Sequence, residues 1–181
     1  MIVRALCVVC VCATLGGTTQ VRAQNPRVDS ASNAGIETSA RRIIAGAVFA
    51  TFVTLDNAGA PRTRQVQPQP PDASWTVWFA TNPRTRKVSD ITRDGRVVLH
   101  YFDPKLAGYV SLIGRARVVR DRATKDAHWA PAWEAFYADR DTSVVLIAVT
   151  AERLEVVCVA LGIEGDKGTW LPPTLRVPRR R

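Results

Sequence analysis

Seven stretches of the chain carry the short apolar runs and alternations of β-strands. They are F-A-T-F-V-T-L-D (49–56), P-R-T-R-Q-V-Q-P (61–68), W-T-V-W-F-A (75–80), R-V-V-L-H-Y-F (96–102), Y-V-S-L-I-G-R-A-R-V-V (109–119), V-V-L-I-A-V (144–149) and R-L-E-V-V-C-V (153–159). D-N-A-G at 56–59 offers the backbone freedom of a hairpin turn, and D-P-K-L-A-G at 103–108 makes a second turn. Helix signals fall between the strands. From Glu37 onward, Ile43, Ile44, Ala47 and Val48 share one helical face, and Pro83 is placed to open a short helix through Ile91. Trp129, Trp133, Phe136 and Tyr137 fall at i, i+4, i+7 and i+8, which predicts a core-facing aromatic stripe on a helix that Pro131 divides. The end, G-D-K-G-T-W-L-P-P-T, reads as a proline-rich surface loop. Because strands follow one another as hairpins, without strand–helix alternation, the expected fold is mainly β (α+β): an antiparallel barrel with inserted helices.

The first 23 residues stand apart from this pattern. M-I-V-R is a short basic start, A-L-C-V-V-C-V-C-A-T-L an uncharged apolar core, and V-R-A a peptidase recognition site, so cleavage is expected after Ala23. Eleven apolar residues fall short of the ~20 that a membrane-spanning helix needs. The expectation is an exported protein, periplasmic or extracellular, with no membrane attachment after signal removal. Residues 24–35 are then a disordered lead-in, 36–176 one domain, and 177–181 a basic tail. Export of the mature chain removes Cys7, Cys10 and Cys12 and leaves Cys158 alone, so no intrachain disulfide forms. Within L-E-V-V-C-V, Cys158 reads as a small core residue. Losing Arg4 and Arg22 takes 25 basic side chains to 23 against 16 acids, a net charge of +7 that favours anionic ligands. The arginines are scattered and the aromatics sit on strand and helix faces, so nucleic acid is not the expected partner.

Few residues carry recognisable chemistry. His100 and His128 have no carboxylate or cysteine at ligand spacing, so no metal site is expected, and His100 reads as a strand-face residue with a structural partner. No nucleophile elbow, phosphate-loop or dinucleotide motif appears. What remains is A-T-N-P-R-T-R-K-V-S-D at 80–90. Arg84, Arg86 and Lys87 supply charge-assisted donors, each such bond worth ~1.5–3 kcal/mol, and Thr81 and Thr85 supply short hydroxyl donors. A helix start near Pro83 would add backbone N–H groups, and Arg62 and Arg64 on the neighbouring strand are within reach. On the residues alone two readings stand, a phosphate site and an ordinary basic turn, of which the turn is the simpler.

W-F-A-T-N-P-R-T-R-K-V-S-D-I, R-V-V-L-H-Y-F-D-P and G-Y-V-S-L-I-G-R-A-R-V-V together resemble the pyridoxamine 5′-phosphate oxidase-like superfamily, and most its general stress protein branch. W-E-A-F-Y-A-D-R-D, R-L-E-V-V and T-W-L-P-P fit the same branch, so the resemblance runs unbroken from about Ile36 to Thr174. It implies a split β-barrel homodimer that binds FMN between its subunits. Its phosphate grip maps to Arg64, Thr81, Thr85, Arg86 and Lys87, with Phe79 and Ala80 along the flavin edge. Tyr109 matches the glutamine that touches the flavin from the long strand, and Gln69 stands where the oxidase has a lysine. L-P-P-T-L-R-V has no counterpart of the oxidase's arginine-bearing C-terminal segment. The resemblance therefore implies a flavin-dependent oxidoreductase of unassigned substrate and electron donor, not oxidation of pyridoxamine phosphate. A non-catalytic flavin-binding or sensing module, or the same barrel holding deazaflavin or haem, are the alternatives.

Overall fold

Ser32 caps the first helix by accepting, through its Oγ, the backbone N–H of Gly35 at 3.1 Å, which satisfies one of the donors that a helix start leaves bare. The computed structural model describes residues 32–178; the expected signal segment, residues 24–31 of the lead-in and the last three arginines lie outside the described residues. Helix α1 spans Asn33–Gly46, starting three residues before the expected domain boundary at Ile36. It buries Ile36, Ala40, Ile43 and Ile44 against the sheet, the spacing of a single helical face.

Seven antiparallel strands follow: β1 (Ala50–Leu55), β2 (Pro61–Val66), β3 (Thr76–Thr81), β4 (Arg96–Asp103), β5 (Gly108–Val119), β6 (Val145–Val157) and β7 (Thr174–Arg176). Their hydrogen-bonded order is β2-β1-β4-β5-β6-β3, with β7 added along β6. Alternate residues face one side, so Phe52, Leu99, Leu112, Val77, Phe79 and Leu154 are buried together. Three strands separate β1 from β3 in the order, yet the rings of Phe52 and Phe79 meet edge-on with centroids 5.1 Å apart. The sheet therefore curls around its own core while β2 and β3 remain its ends, the split antiparallel barrel with inserted helices that the sequence led us to expect. Cys158 is fully buried in this core.

Four local expectations need correction. V-V-L-I-A-V and R-L-E-V-V-C-V are not separate strands: β6 (Val145–Val157) joins them, and the T-A-E between them holds a bulge where the register against β5 shifts. The segment read as a surface loop contributes β7, whose Thr174–Arg176 pair with Arg153–Glu155, and the Pro173 carbonyl just before it accepts the Val156 N–H at 3.1 Å. Pro83 does not open α2, which spans Arg86–Arg93. Asn82 instead makes a turn: its side chain accepts the Arg84 N–H at 2.8 Å and its carbonyl the Thr85 N–H at 3.2 Å. The aromatic stripe is not core. Helix α3 (Arg122–Ala127) stops before it, Pro131 begins a 3₁₀ turn to Ala135, and Phe136 is 78% exposed. With the helical period broken at proline, the aromatics no longer share a face; Trp129 and Trp133 meet at 90° instead.

The bulge depends on Gly114. A Cβ at this position would lie 2.1 Å from the Thr150 carbonyl oxygen, a backbone atom held in the sheet. Gly114→Ala is expected to lower unfolding stability by about 1–3 kcal/mol through overpacking, read from chemical denaturation; a wild-type midpoint would contradict the close approach.

Candidate functional site: a cationic concavity beside the barrel

β2 places alternate residues Arg62 and Arg64 on the barrel side of the sheet, directly opposite Thr54 and Phe52 of β1. α2 follows the exit of β3 and sets Arg86 and Lys87 beside them. Arg62, Thr63, Arg64, Thr85, Arg86 and Lys87 line one open concavity of about 500 Å³. Four of those six residues are cations and none is an acid.

The hydroxyls sit behind the cations. Lys87 Nζ donates to the Thr81 Oγ at 2.8 Å, and the Thr81 and Thr85 oxygens are 3.5 Å apart. Arg64 Nη1 donates to Thr54 Oγ1 at 2.7 Å and to the Arg62 carbonyl at 3.0 Å, which orients its guanidinium along the strand. Thr85 is N-cap of α2, but its hydroxyl donates to the Asn82 carbonyl at 3.0 Å and makes no cap bond to the helix. The first N–H groups of α2 are thus left without the usual side-chain acceptor.

Asp90, which sequence reasoning missed, organises the cluster. It is 2% exposed and accepts the Thr54 hydroxyl at 2.8 Å. Its oxygens lie 3.3 Å from Arg62, 3.6 Å from Arg64 and 3.7 Å from Arg93. Asp56 pairs with Arg62 as well, at 3.3 Å. The Asp90 partners Thr54, Arg62 and Arg64 come from β1 and β2, distant in sequence; the one local signal was the i, i+3 spacing from Asp90 to Arg93 on a short helix.

These acids do not balance the cations. Burial lowers the pKa of Arg64, and although Asp90 raises it, Arg86 and Arg62 pull it down again. Burial, then the nearby Arg64, holds the Lys87 ammonium below its usual value. Arg86 pairs with no carboxylate among the described residues. A dianion in the concavity would reverse both shifts, because an opposite charge favours the charged form of Lys87 and Arg64.

The structure thus brings together Arg64, Thr81, Thr85, Arg86 and Lys87 of the expected residues, and Arg62 with them. Three others stand elsewhere. The Phe79 ring points into the core against Phe52, and Ala80 faces the opposite side, toward the cluster of Trp78, Val119, Leu146 and Ala148. Neither side chain lines the concavity; the two face opposite ways because they are successive strand residues. Tyr109 lies on the outer face of β5, its ring 5.3 Å from that of His100, and within one chain it does not join the cluster. Arg84 lines a different depression on the other side of α2. His100 has the structural partner expected of it: its Nδ1 lies 3.0 Å from the Ser111 hydroxyl, and burial lowers its pKa. Gln69 donates its side-chain amide to the His128 carbonyl at 2.8 Å. Among the described residues no three His, Cys, Asp or Glu side chains converge to hold a metal.

The family described as "Pyridoxamine 5'-phosphate oxidase like" matches residues 39–157. No curated protein matches by sequence. Among solved structures, a protein of Clostridium acetobutylicum related to general stress protein 26, of the pyridoxinephosphate oxidase family, superposes with a TM-score of 0.62 at 20% identity, covering 70% of this chain and 90% of that one. A pyridoxamine 5′-phosphate oxidase-related, FMN-binding protein of Nostoc punctiforme gives 0.52 at 12% identity, over 70% and 82%. A haem-binding protein of Mycobacterium smegmatis gives 0.54 at 19% identity, over 70% and 54%. At these identities the likeness is one of fold.

Asp90 is buried, while its arginine partners are partly exposed and so partly screened. Asp90→Asn, which keeps the shape and removes the charge, is expected to cost about 1–3 kcal/mol of stability. Denaturation at neutral pH checks this, and a variant as stable as the wild type would show that the carboxylate does not hold the cluster.

Proposed function

The chain belongs to the pyridoxamine 5′-phosphate oxidase-like family, and we propose that it is an exported, FMN-binding member acting as a flavin-dependent oxidoreductase. One observation carries the reading: four cations share a concavity that no carboxylate lines, and burial lowers the pKa of two of them, Arg64 and Lys87. A phosphate dianion supplies the missing charge. Its oxygens would take donors from Arg64, Arg86 and Lys87, with Thr85 at the same wall and Thr81 positioning Lys87. The bare N–H groups at the start of α2 add donors of the same sense.

A flavin supplies hydride or electron transfer when bound, and the protein's part is to bind and orient it. β3 is the last strand in the sheet order, and its outer edge is taken by the Gln69 N–H on the Trp78 carbonyl at 2.7 Å and the Asp72 N–H on the Thr76 carbonyl at 3.0 Å, which leaves the backbone at Ala80 for a ligand. That backbone, in place of the Phe79 and Ala80 side chains, is the surface against which the ring system would lie. Tyr109 enters such a site from a second copy of the chain. Phe102, 53% exposed, Tyr109 and Val157 stand side by side across β4, β5 and β6 on the outer face, and Val53, Val98 and Ile113 continue this half-buried apolar surface. A homodimer that packs on this face would bury it and complete the site.

Oxidation of pyridoxamine phosphate is not part of the proposal. Gln69 replaces the oxidase's lysine and has its amide engaged by the His128 carbonyl. The same observation favours a second reading, a flavin carrier or sensor without turnover. Deazaflavin would use the same phosphate grip, whereas haem would need an axial ligand. His100 is bonded to Ser111 through Nδ1, and the His128 ring is stacked on Trp78 at 3.8 Å.

Titration of the full chain with FMN is expected to quench flavin fluorescence with micromolar or tighter affinity. Arg86→Ala with Lys87→Ala should weaken binding by about tenfold or more. Unchanged affinity in the double variant would move the phosphate elsewhere, and no quenching would overturn the FMN reading. Steady-state reduction with electron donors separates oxidoreductase from carrier, and the absorption spectrum of the isolated protein separates flavin, deazaflavin and haem. Export is tested by sequencing the secreted protein, whose first residue should be Gln24; a chain still starting at Met1 would contradict cleavage after Ala23.

A further inference from the structure

The exposed ridge of α2 separates two cationic depressions. The first is the concavity of Arg64, Arg86 and Lys87. The second, of about 540 Å³, lies between α2 and the end of β5 and is lined by Arg84, Arg93 and Arg120, by Ser89 and Thr92, and by Pro83 and the buried Val88. Thr85 lines both. We propose that the second depression receives the second phosphate and the nucleoside of a dinucleotide, so that the preferred ligand is a flavin dinucleotide and not the mononucleotide. This rests on the phosphate reading of the first concavity.

Three observations favour that occupant. The second depression, like the first, is lined by cations with no acid, and neither Arg84 nor Arg120 pairs with a carboxylate among the described residues. Arg93 alone is engaged, donating to the Leu55 carbonyl at 2.6 Å and lying 3.7 Å from Asp90. A net cationic wall with two free guanidiniums suits a further phosphate, and guanidinium planes beside apolar side chains suit the face of a base. The volume falls within the ~300–1,000 Å³ of small-molecule sites.

Direction decides between an extension of the ligand and a separate reactant. β3 runs from Thr76 to Thr81 and ends beside the first concavity, and α2 begins beyond it. With the phosphate beside α2, a flavin ring against the Ala80 backbone would lie on the β3 side of that phosphate. The second depression lies on the far side of α2, at the phosphate end. A hydride donor has to reach the ring and gains nothing from binding there, whereas a group esterified to the phosphate must continue past Thr85 in that direction.

The test is parallel titration of the full chain with riboflavin, FMN and FAD, on wild type and on Arg84→Ala/Arg120→Ala. Both of these side chains are exposed, so the variant should fold. FAD is expected to bind about tenfold or more tightly than FMN, and the variant to lose that advantage while FMN affinity stays unchanged. If FMN binds and FAD binds no more tightly, or if the variant weakens both ligands equally, the dinucleotide proposal is overturned and the FMN reading stands. If neither nucleotide binds, both fall.

Discussion

Asp90 and the guanidiniums gathered on it are the interaction from which the site follows. A carboxylate that is 2% exposed is costly to bury without close polar partners, and it finds them on β1, β2 and its own helix. That demand ties α2 to the edge of the barrel and aims Arg62 and Arg64 along β2. The compensation is incomplete. One buried acid, with Asp56 at the margin, faces Arg62, Arg64, Arg93, Arg86 and Lys87. A protein that needed only stability would have little reason to crowd cations whose charged forms disfavour one another. The excess is intelligible as a receptor for negative charge.

The barrel makes this crowding tolerable. The interior is sealed by Phe52, Phe79 and the aliphatic residues of β4, β5 and β6, so the cations sit on a rigid rim and do not open the core. The bulge in β6 lets one long strand follow the curl of the sheet to β7, and Gly114 is the point where the neighbouring strand comes too near for any side chain. On the outer face, Phe102, Tyr109 and Val157 form the apolar band that a second chain would cover.

Strands with alternating residues were legible, because one face of each is buried and the period of two is local. So was the grouping of Thr81, Thr85, Arg86 and Lys87, which follow one strand exit; Arg64 joins them from β2, at the other end of the sheet order, because the sheet curls. Misreadings came where a local signal met a tertiary one. T-A-E resembles a break, yet neighbours on both sides hold it in a strand. The aromatic spacing at 129–137 is helical, yet Pro131 removes the helix that would give it meaning. Asp90 was invisible as a site residue because its role comes from three arginines contributed by two elements. Arg84 was grouped with Arg86, and only the turn at Asn82 and Pro83 shows that it faces the other way.

The central claim is that the concavity recognises a phosphate and not the flavin ring alone. Riboflavin and FMN differ by that one group, so the ratio of their affinities for the wild-type chain, measured at low and at moderate salt, isolates it. FMN is expected to bind at least about a hundredfold more tightly at low salt, with the ratio shrinking as salt screens the exposed part of the cluster. Equal affinities at every salt concentration would contradict the claim.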